Sequence, residues 1–269
     1  MTRTLQRLLV QLLNALLVFS ALMGLWYFII WWRHMPAFML PSPLQVLQAA
    51  IARRSELFAS FLITAEEAAG GLLASIIAGI AIALVFAQSR WMRSTLYPYT
   101  ILLQTVPIIA VAPLILMWVG YGSSSVLLIA FIICLPPIIA NTTQGLVSVE
   151  ENLVQLFAMH NASGAQVLFK LRLPHAMPSL FTGIRISAGI SLIGAITGEL
   201  FAGSNRVGEG GLGYSILYAM AQVETDYLFA LVAACTVLGF TFFFLAMFAE
   251  WFALHNWHES ARASDSTEN

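Results

Sequence analysis

Between Arg93 and Glu150 the chain carries no charged side chain. A helix needs about 20 apolar residues to cross the hydrocarbon core of a bilayer. This stretch is far too long for one crossing and must hold two. Gly120–Ser125 (GYGSSS) is its only turn-like interruption, which places spans at about Tyr97–Val119 and Val126–Thr143. Pro107, Pro113, Pro136 and Pro137 fall inside them. A proline in a membrane helix frees a carbonyl that neighbours or a water-filled cavity must satisfy. Broken helices near a pathway are therefore expected, with kinked packing as the alternative at each proline.

The rest of the chain is of the same kind. Of its 269 residues, 59% are hydrophobic and 9% charged, with mean hydropathy +0.84. Soluble domains carry roughly 25% charged residues. The expected fold class is all-α, a polytopic membrane protein. A net charge of −1 offers no global field for nucleic acid or acidic ligands; lipid is the expected surround. Cys134 and Cys235 lie in apolar runs and read as buried thiols.

Four further spans follow from the pattern. Leu8–Trp32 has no charge and ends in an aromatic belt of Trp26, Tyr27, Trp31 and Trp32. It is too long for a signal peptide, and no A-x-A site follows. A turn-rich connector, Pro36–Pro43, leads to a helical surface segment, Leu44–Phe61. A second span runs from about Thr64 to Gln88. Gly71, Ser75, Gly79, Ala83 and Ala87 recur every four residues along it, a small-residue stripe that lets a neighbouring helix approach closely. A span from Pro178 to about Ala202 repeats the device with Gly183, Ser187, Ser191, Ala195 and Glu199. The last span is about Tyr227–Trp251. The expected total is six transmembrane helices. Residues 1–60 form an N-terminal helix and connector, 61–252 a core, and 253–269 a polar tail. With the N-terminus inside, Arg3, Arg7, Arg90, Arg93, Lys170, Arg172, Arg185 and Arg262 are cytoplasmic. Arg33, Arg53, Arg54 and Arg206 are outside. The excess of inner cations favours both termini in the cytoplasm.

The polar interruption at Ser148–Pro178 then also faces the cytoplasm. Ser148 with Glu151 spells a capping box, so a helix is expected from about Val149. Val149, Leu153, Leu156 and Phe157 would share one face. Asn161 tolerates the left-handed conformation and can end that helix. Ser163 with Gln166 spells a second box, and the second helix is expected to stop before Pro174. The whole reads as a helix–corner–helix, its apolar face suited to a partner groove or to the membrane surface.

The residues exclude much chemistry. A P-loop needs a lysine on the phosphates, and the only lysine is Lys170 in LFKLR. Any ATP-driven work must fall to a separate subunit. GEGGLG at Gly208–Gly213 lacks the strand that a dinucleotide loop requires and reads as a tight turn at a membrane surface. His255 and His258 have a spacing that could ligate a metal, but interfacial histidine fits better. No Ser/His/Asp arrangement is legible, so the chain is not expected to be an enzyme or to hold a cofactor or metal. Glu199 is either a functional intramembrane carboxylate or an interfacial group paired with Arg206. Glu66 and Glu67 read as interfacial. Candidate pathway residues are the polar side chains within spans: Gln104, Thr105, Asn141, Thr142, Ser191, Thr197 and Glu199. Intramembrane Ser and Thr often bond only a backbone carbonyl or a neighbouring helix.

Ser148–Pro178 resembles the cytoplasmic EAA loop of permease subunits of bacterial binding-protein-dependent ABC importers, whose pattern is E-A-A-x-x-x-G-x₉-I-x-L-P. Leu173–Pro174 match its final L-P. Gln155, Leu156 and Phe157 then stand at E-A-A, Asn161 at the Gly and Leu171 at the Ile. Only L-P is an identity. The flanks are more specific: Ala162–Ser163, LRLPHAMPSLFTGIRIS, TGELFAG, GEGGLGYSI, LPSPLQVL and VPIIAVAPLILMWVGYG are similar to the branch that imports nitrate, sulfonates, taurine and thiamine-precursor pyrimidines. The resemblance covers about Leu40–Glu250. It implies a type I ABC importer permease fold in the inner membrane and two identical permease chains around a solute pathway. It also implies a cytoplasmic ATPase dimer that carries ATP and Mg and receives the coupling loop 148–178, and a periplasmic or lipid-anchored solute-binding protein. An ion-coupled secondary transporter with Glu199 as coupling group is the alternative. No inverted repeat and few intramembrane charges argue against it.

Overall fold

A computed structural model describes residues 2–202 and 210–255. Arg206, Gly208, His258 and Arg262 lie outside these, as does most of the polar tail. Within them the protein is helical: α1 (Thr2–Arg33), α2 (Pro43–Ala52), α3 (Arg54–Gln88), α4 (Arg90–Thr105), α5 (Ile108–Val119), α6 (Ser123–Val147), α7 (Glu151–Met159), α8 (Gly164–Val167), a π-helical turn (Leu168–Arg172), α9 (Leu173–Ala202), α10 (Leu212–Ala221) and α11 (Thr225–Leu254). The helices α1, α3, α6, α9 with its α8 lead-in, and α11 are long and apolar enough to cross a membrane. The bent pair α4–α5 makes a sixth span when counted as one.

The third span breaks as its prolines suggest, at one place. Val106 is extended and Pro107 starts α5, which leaves α4 at 99°. The residue before a proline is driven out of the α region, and Pro107 itself has no N–H to give. Pro113, Pro136 and Pro137 stay inside their helices.

The surface segment expected over Leu44–Phe61 is shorter. Ser42 caps α2 through a box with Gln45 (Ser42 N–H to Gln45 Oε1, 2.8 Å), and Pro43 opens it. The helix ends at Ala52, and Arg54 already belongs to α3. Arg53 makes this corner. Its guanidinium donates to Glu56 and to Glu224 and lies 4.0 Å from the centre of the Tyr227 ring. Burial works against the Arg53 charge, but the two carboxylates more than offset it and hold its pKa above the ordinary value. At 35 residues, α3 is roughly 50 Å long. It therefore rises beyond a hydrocarbon core of about 30 Å.

The centre is the trio α3, α6 and α9. Both small-residue stripes are buried there. A Cβ on Gly71 would stand 2.9 Å from Leu127 O and Phe131 N of α6, so α3 and α6 touch backbone to backbone. Ser75 Oγ donates across the same contact to Phe131 O (2.8 Å). On the other side Ser187 Oγ donates to Cys134 O (2.9 Å), and Cys134 Sγ to Ser187 O (3.4 Å). Cys134 is buried as expected, and Cys235 is half-buried. Arg185 pairs with Glu250, joining α9 to α11. Helix α1 stays at the periphery. Trp26 attaches it through Nε1–H to Pro41 O (3.1 Å) and a ring contact with Phe229.

Candidate functional site

The corner between α7 and α8 projects from one end of the bundle. Its first capping box does not form. Ser148 ends α6 instead: its Oγ donates to Gly145 O (3.1 Å) and lies 3.3 Å from His175 Nε2. With Ser148 taken, α7 starts at Glu151 without a side-chain cap, and Val149 falls off the helix face. Leu153 and Leu156 are exposed, while Val154 and Phe157 turn toward the body. Asn161 does take the left-handed conformation (φ 54°). Ala162 N–H then closes onto Phe157 O (3.0 Å), satisfying a carbonyl that the helix end leaves open. The second box does form, with Ser163 N–H to Gln166 Oε1 at 2.8 Å and Gln166 N–H to Ser163 Oγ at 3.3 Å.

The second helix does not stop before Pro174. It passes through the π turn and continues as α9, so Pro178 is inside a helix rather than at its start. Within the turn Leu173 N–H reaches back to Leu168 O, one residue further than in an α-helix. The wider coil absorbs the ring of Pro174, which would otherwise meet the carbonyl four residues earlier. Leu171, Leu173 and Pro174 are half-buried; Gln155, Asn161 and Ser163 are exposed. Arg172 Nη1 donates to Ala87 O (3.0 Å), a cation on the carbonyl end of α3 where the helix dipole favours it. Beneath the corner is a cavity of about 960 Å³ lined in part by Arg90, Arg93 and Arg172.

A second cavity, about 590 Å³, opens at the break between α4 and α5. Gln104 and Asn141 are its only polar lining side chains; the rest are aliphatic, from α4, α5, α6 and α9. Asn141 Nδ2 donates to Pro137 O (2.8 Å). Thr105 is exposed, but its hydroxyl donates to Leu102 O (2.8 Å) in its own helix. Ser191, Thr197 and Glu199 do not line this cavity. They are buried in the packed face of α9, where Ser191 Oγ donates to Ala188 O (2.9 Å).

Glu199 has a definite seat. Its Oε2 accepts the N–H of Gly213 (2.6 Å) in the first turn of α10. Thr64 Oγ1 accepts Leu212 N–H (2.7 Å), and Ser60 and Ser215 hydroxyls meet at 2.8 Å. Side chains of α3 and α9 thus cap α10, whose own cap residue Gly211 has no side chain to do so. A Cβ on Gly211 would fall onto the Glu199 carboxyl. The described part of GEGGLG is therefore a helix start rather than a simple turn. Glu67 is buried, not interfacial, while Glu66 is exposed. Helix α10 and the Arg172–Ala87 contact went unforeseen.

Among the described residues the protein is an all-α, multi-pass membrane protein with one bent span and an exposed corner between two spans. Residues 71–251 match the family model described as binding-protein-dependent transport system inner membrane component, and the chain belongs to that family. It is similar to a probable ABC transporter permease protein of Haemophilus influenzae, 30% identical over 87% of this chain and 94% of that one. It is 32% identical to the formylaminopyrimidine transport permease protein ThiX of Halalkalibacterium halodurans, over 85% and 90% of the two chains. It is 33% identical to the riboflavin transport system permease protein RibX of Chloroflexus aurantiacus, over 78% of each. Relatives named for aliphatic sulfonates, taurine and nitrate match at 26–28% identity. The branch inferred from the flanking motifs is borne out. The chain is a multi-pass inner-membrane permease subunit of an ATP-driven importer and not itself an enzyme.

Proposed function

We propose that two copies of this chain enclose the solute pathway, with both termini and the α7–α8 corner in the cytoplasm. The exposed apolar corner carries this reading, because it joins two spans at once. It runs without a hinge into α9 and is held to α3 by Arg172. Gln155, Leu156, Phe157, Asn161, Ala162 and Ser163 present the corner to a groove of an ATPase dimer that binds ATP and Mg. Leu171, Leu173 and Pro174 carry the displacement into α9. A periplasmic or lipid-anchored binding protein delivers the solute to the opposite end. Gln104 and Asn141 face the passage. Two amides among aliphatic side chains, with no cation, suit an uncharged hydrogen-bonding solute of pyrimidine type better than nitrate or a sulfonate.

The test is co-purification. Leu153→Asp with Leu156→Asp places two charges on the exposed docking face and is expected to release the ATPase from the membrane-inserted chain and abolish uptake. Retained association with normal uptake would overturn the coupling role.

A further inference from the structure

The cavity of about 960 Å³ beneath the α7–α8 corner is walled by the end of α3, the start of α4, the end of α6 and the corner itself. Leu84 of α3, Val147 of α6 and Val154 of α7 supply aliphatic wall. Its polar lining is Gln88, Arg90, Arg93 and Arg172. Among the described residues no acidic side chain lines it. Glu150 and Glu151, before and at the start of α7, are exposed and lie outside the lining.

The fold thus gathers three cations. Arg90 and Arg93 stand at i and i+3 in the first turn of α4, where helix side chains share a face. Arg172 is carried in by the π turn and pinned to Ala87 O. That bond uses one N–H of the five that a guanidinium offers. Arg93 and Arg172 are half-buried. Among the described residues none of the three makes a salt bridge. Like charges in a half-enclosed space repel, and the more so as water is displaced. An anion bound among them removes that cost.

We propose that this cavity binds the phosphate group of a phosphate monoester. Such a group carries about two negative charges and three strong acceptor oxygens. It meets Arg90, Arg93 and the remaining N–H groups of Arg172 by charge-assisted hydrogen bonds. A carboxylate, with a single charge, leaves the cations unmatched. The aliphatic wall beside the arginines suits the organic part of the ester. A soluble ester and the headgroup of phosphatidate present the same chemistry. Bound there, the phosphate ties the ends of α3 and α4 to the corner. This site stands apart from the docking of an ATPase, because its lining belongs to this chain alone.

Isothermal titration with inorganic phosphate, on the full-length chain in nanodiscs of dioleoylphosphatidylcholine, tests this. The expected result is saturable binding at one site per chain. Arg90→Gln and Arg93→Gln should each weaken it about tenfold, the loss of one charged hydrogen-bond partner. Lys170→Gln removes an exposed cation that does not line the cavity and should leave binding unchanged. Discs that also contain dioleoylphosphatidate separate the two sources. Phosphate binding lost there marks the lipid headgroup as the ligand, and binding retained marks a soluble ester. Absence of saturable binding in the first discs, or binding that neither arginine variant weakens, overturns the proposal. So does an equal loss in Lys170→Gln, which would mark only a basic surface. Loss of phosphate binding on adding the ATPase would also overturn it, by giving the cavity to an acidic side chain of that partner.

Discussion

At the scale of single residues, side chains that act locally differ from those that act across the fold. Ser163 and Gln166 cap each other three positions apart, and nothing else competes for them. Ser148 has the same local pattern but is claimed by the end of α6 and by His175. Asn161 was legible because its left-handed backbone is a property of residue type. Glu199 was not, because its partner Gly213 belongs to a separate helix. That seat makes a prediction. Gly211→Ala drives a methyl into the Glu199 carboxyl and is expected to cost about 1–3 kcal/mol, as overpacking does, read as a lowered melting temperature. Adding Glu199→Ala removes the collision. The double variant should therefore be less destabilised than the two single losses summed, a coupling that a double-mutant cycle measures.

At the scale of elements, the spans and their packing faces were legible because lipid forbids unsatisfied backbone and leaves only long apolar helices. The stripes at Gly71–Ala87 and Gly183–Glu199 named the buried faces of α3 and α9 in advance. The start of α3 was misplaced because Arg53 and Glu56 look like surface residues until Glu224 and Tyr227, far along the chain, come to meet them. Helix α10 escaped because it is only 10 residues long and its caps come from α3 and α9. Of the pathway candidates, Gln104 and Asn141 reach a common cavity; the hydroxyls of Ser191 and Thr197 on α9 are buried away from it. Replacing Asn141 with Leu removes one of the two amides facing that cavity. Uptake of a pyrimidine-type solute is expected to fall about tenfold or more, the scale of a lost hydrogen-bond partner in a desolvated site, with the ATPase still attached.

At the scale of the whole molecule, the proposed assembly takes in energy at one end and solute at the other. An importer of this kind should keep its uptake when an uncoupler collapses the ion gradient, provided ATP is held constant. Loss of uptake under those conditions would restore the ion-coupled alternative and give Glu199 a different meaning. The π turn at Leu168–Arg172 also sets the rotational phase of the machine. One additional residue per coil fixes the angle at which the corner leaves the α9 axis, and hence whether Arg172 meets Ala87. Inserting one alanine after Val167, where the helix has ordinary pitch, would swing the corner by about 100° about the α9 axis. The chain should still insert and resist proteolysis, yet neither bind its ATPase nor transport. The coil would then be acting as a timing mark, aligning a soluble motor with a membrane gate.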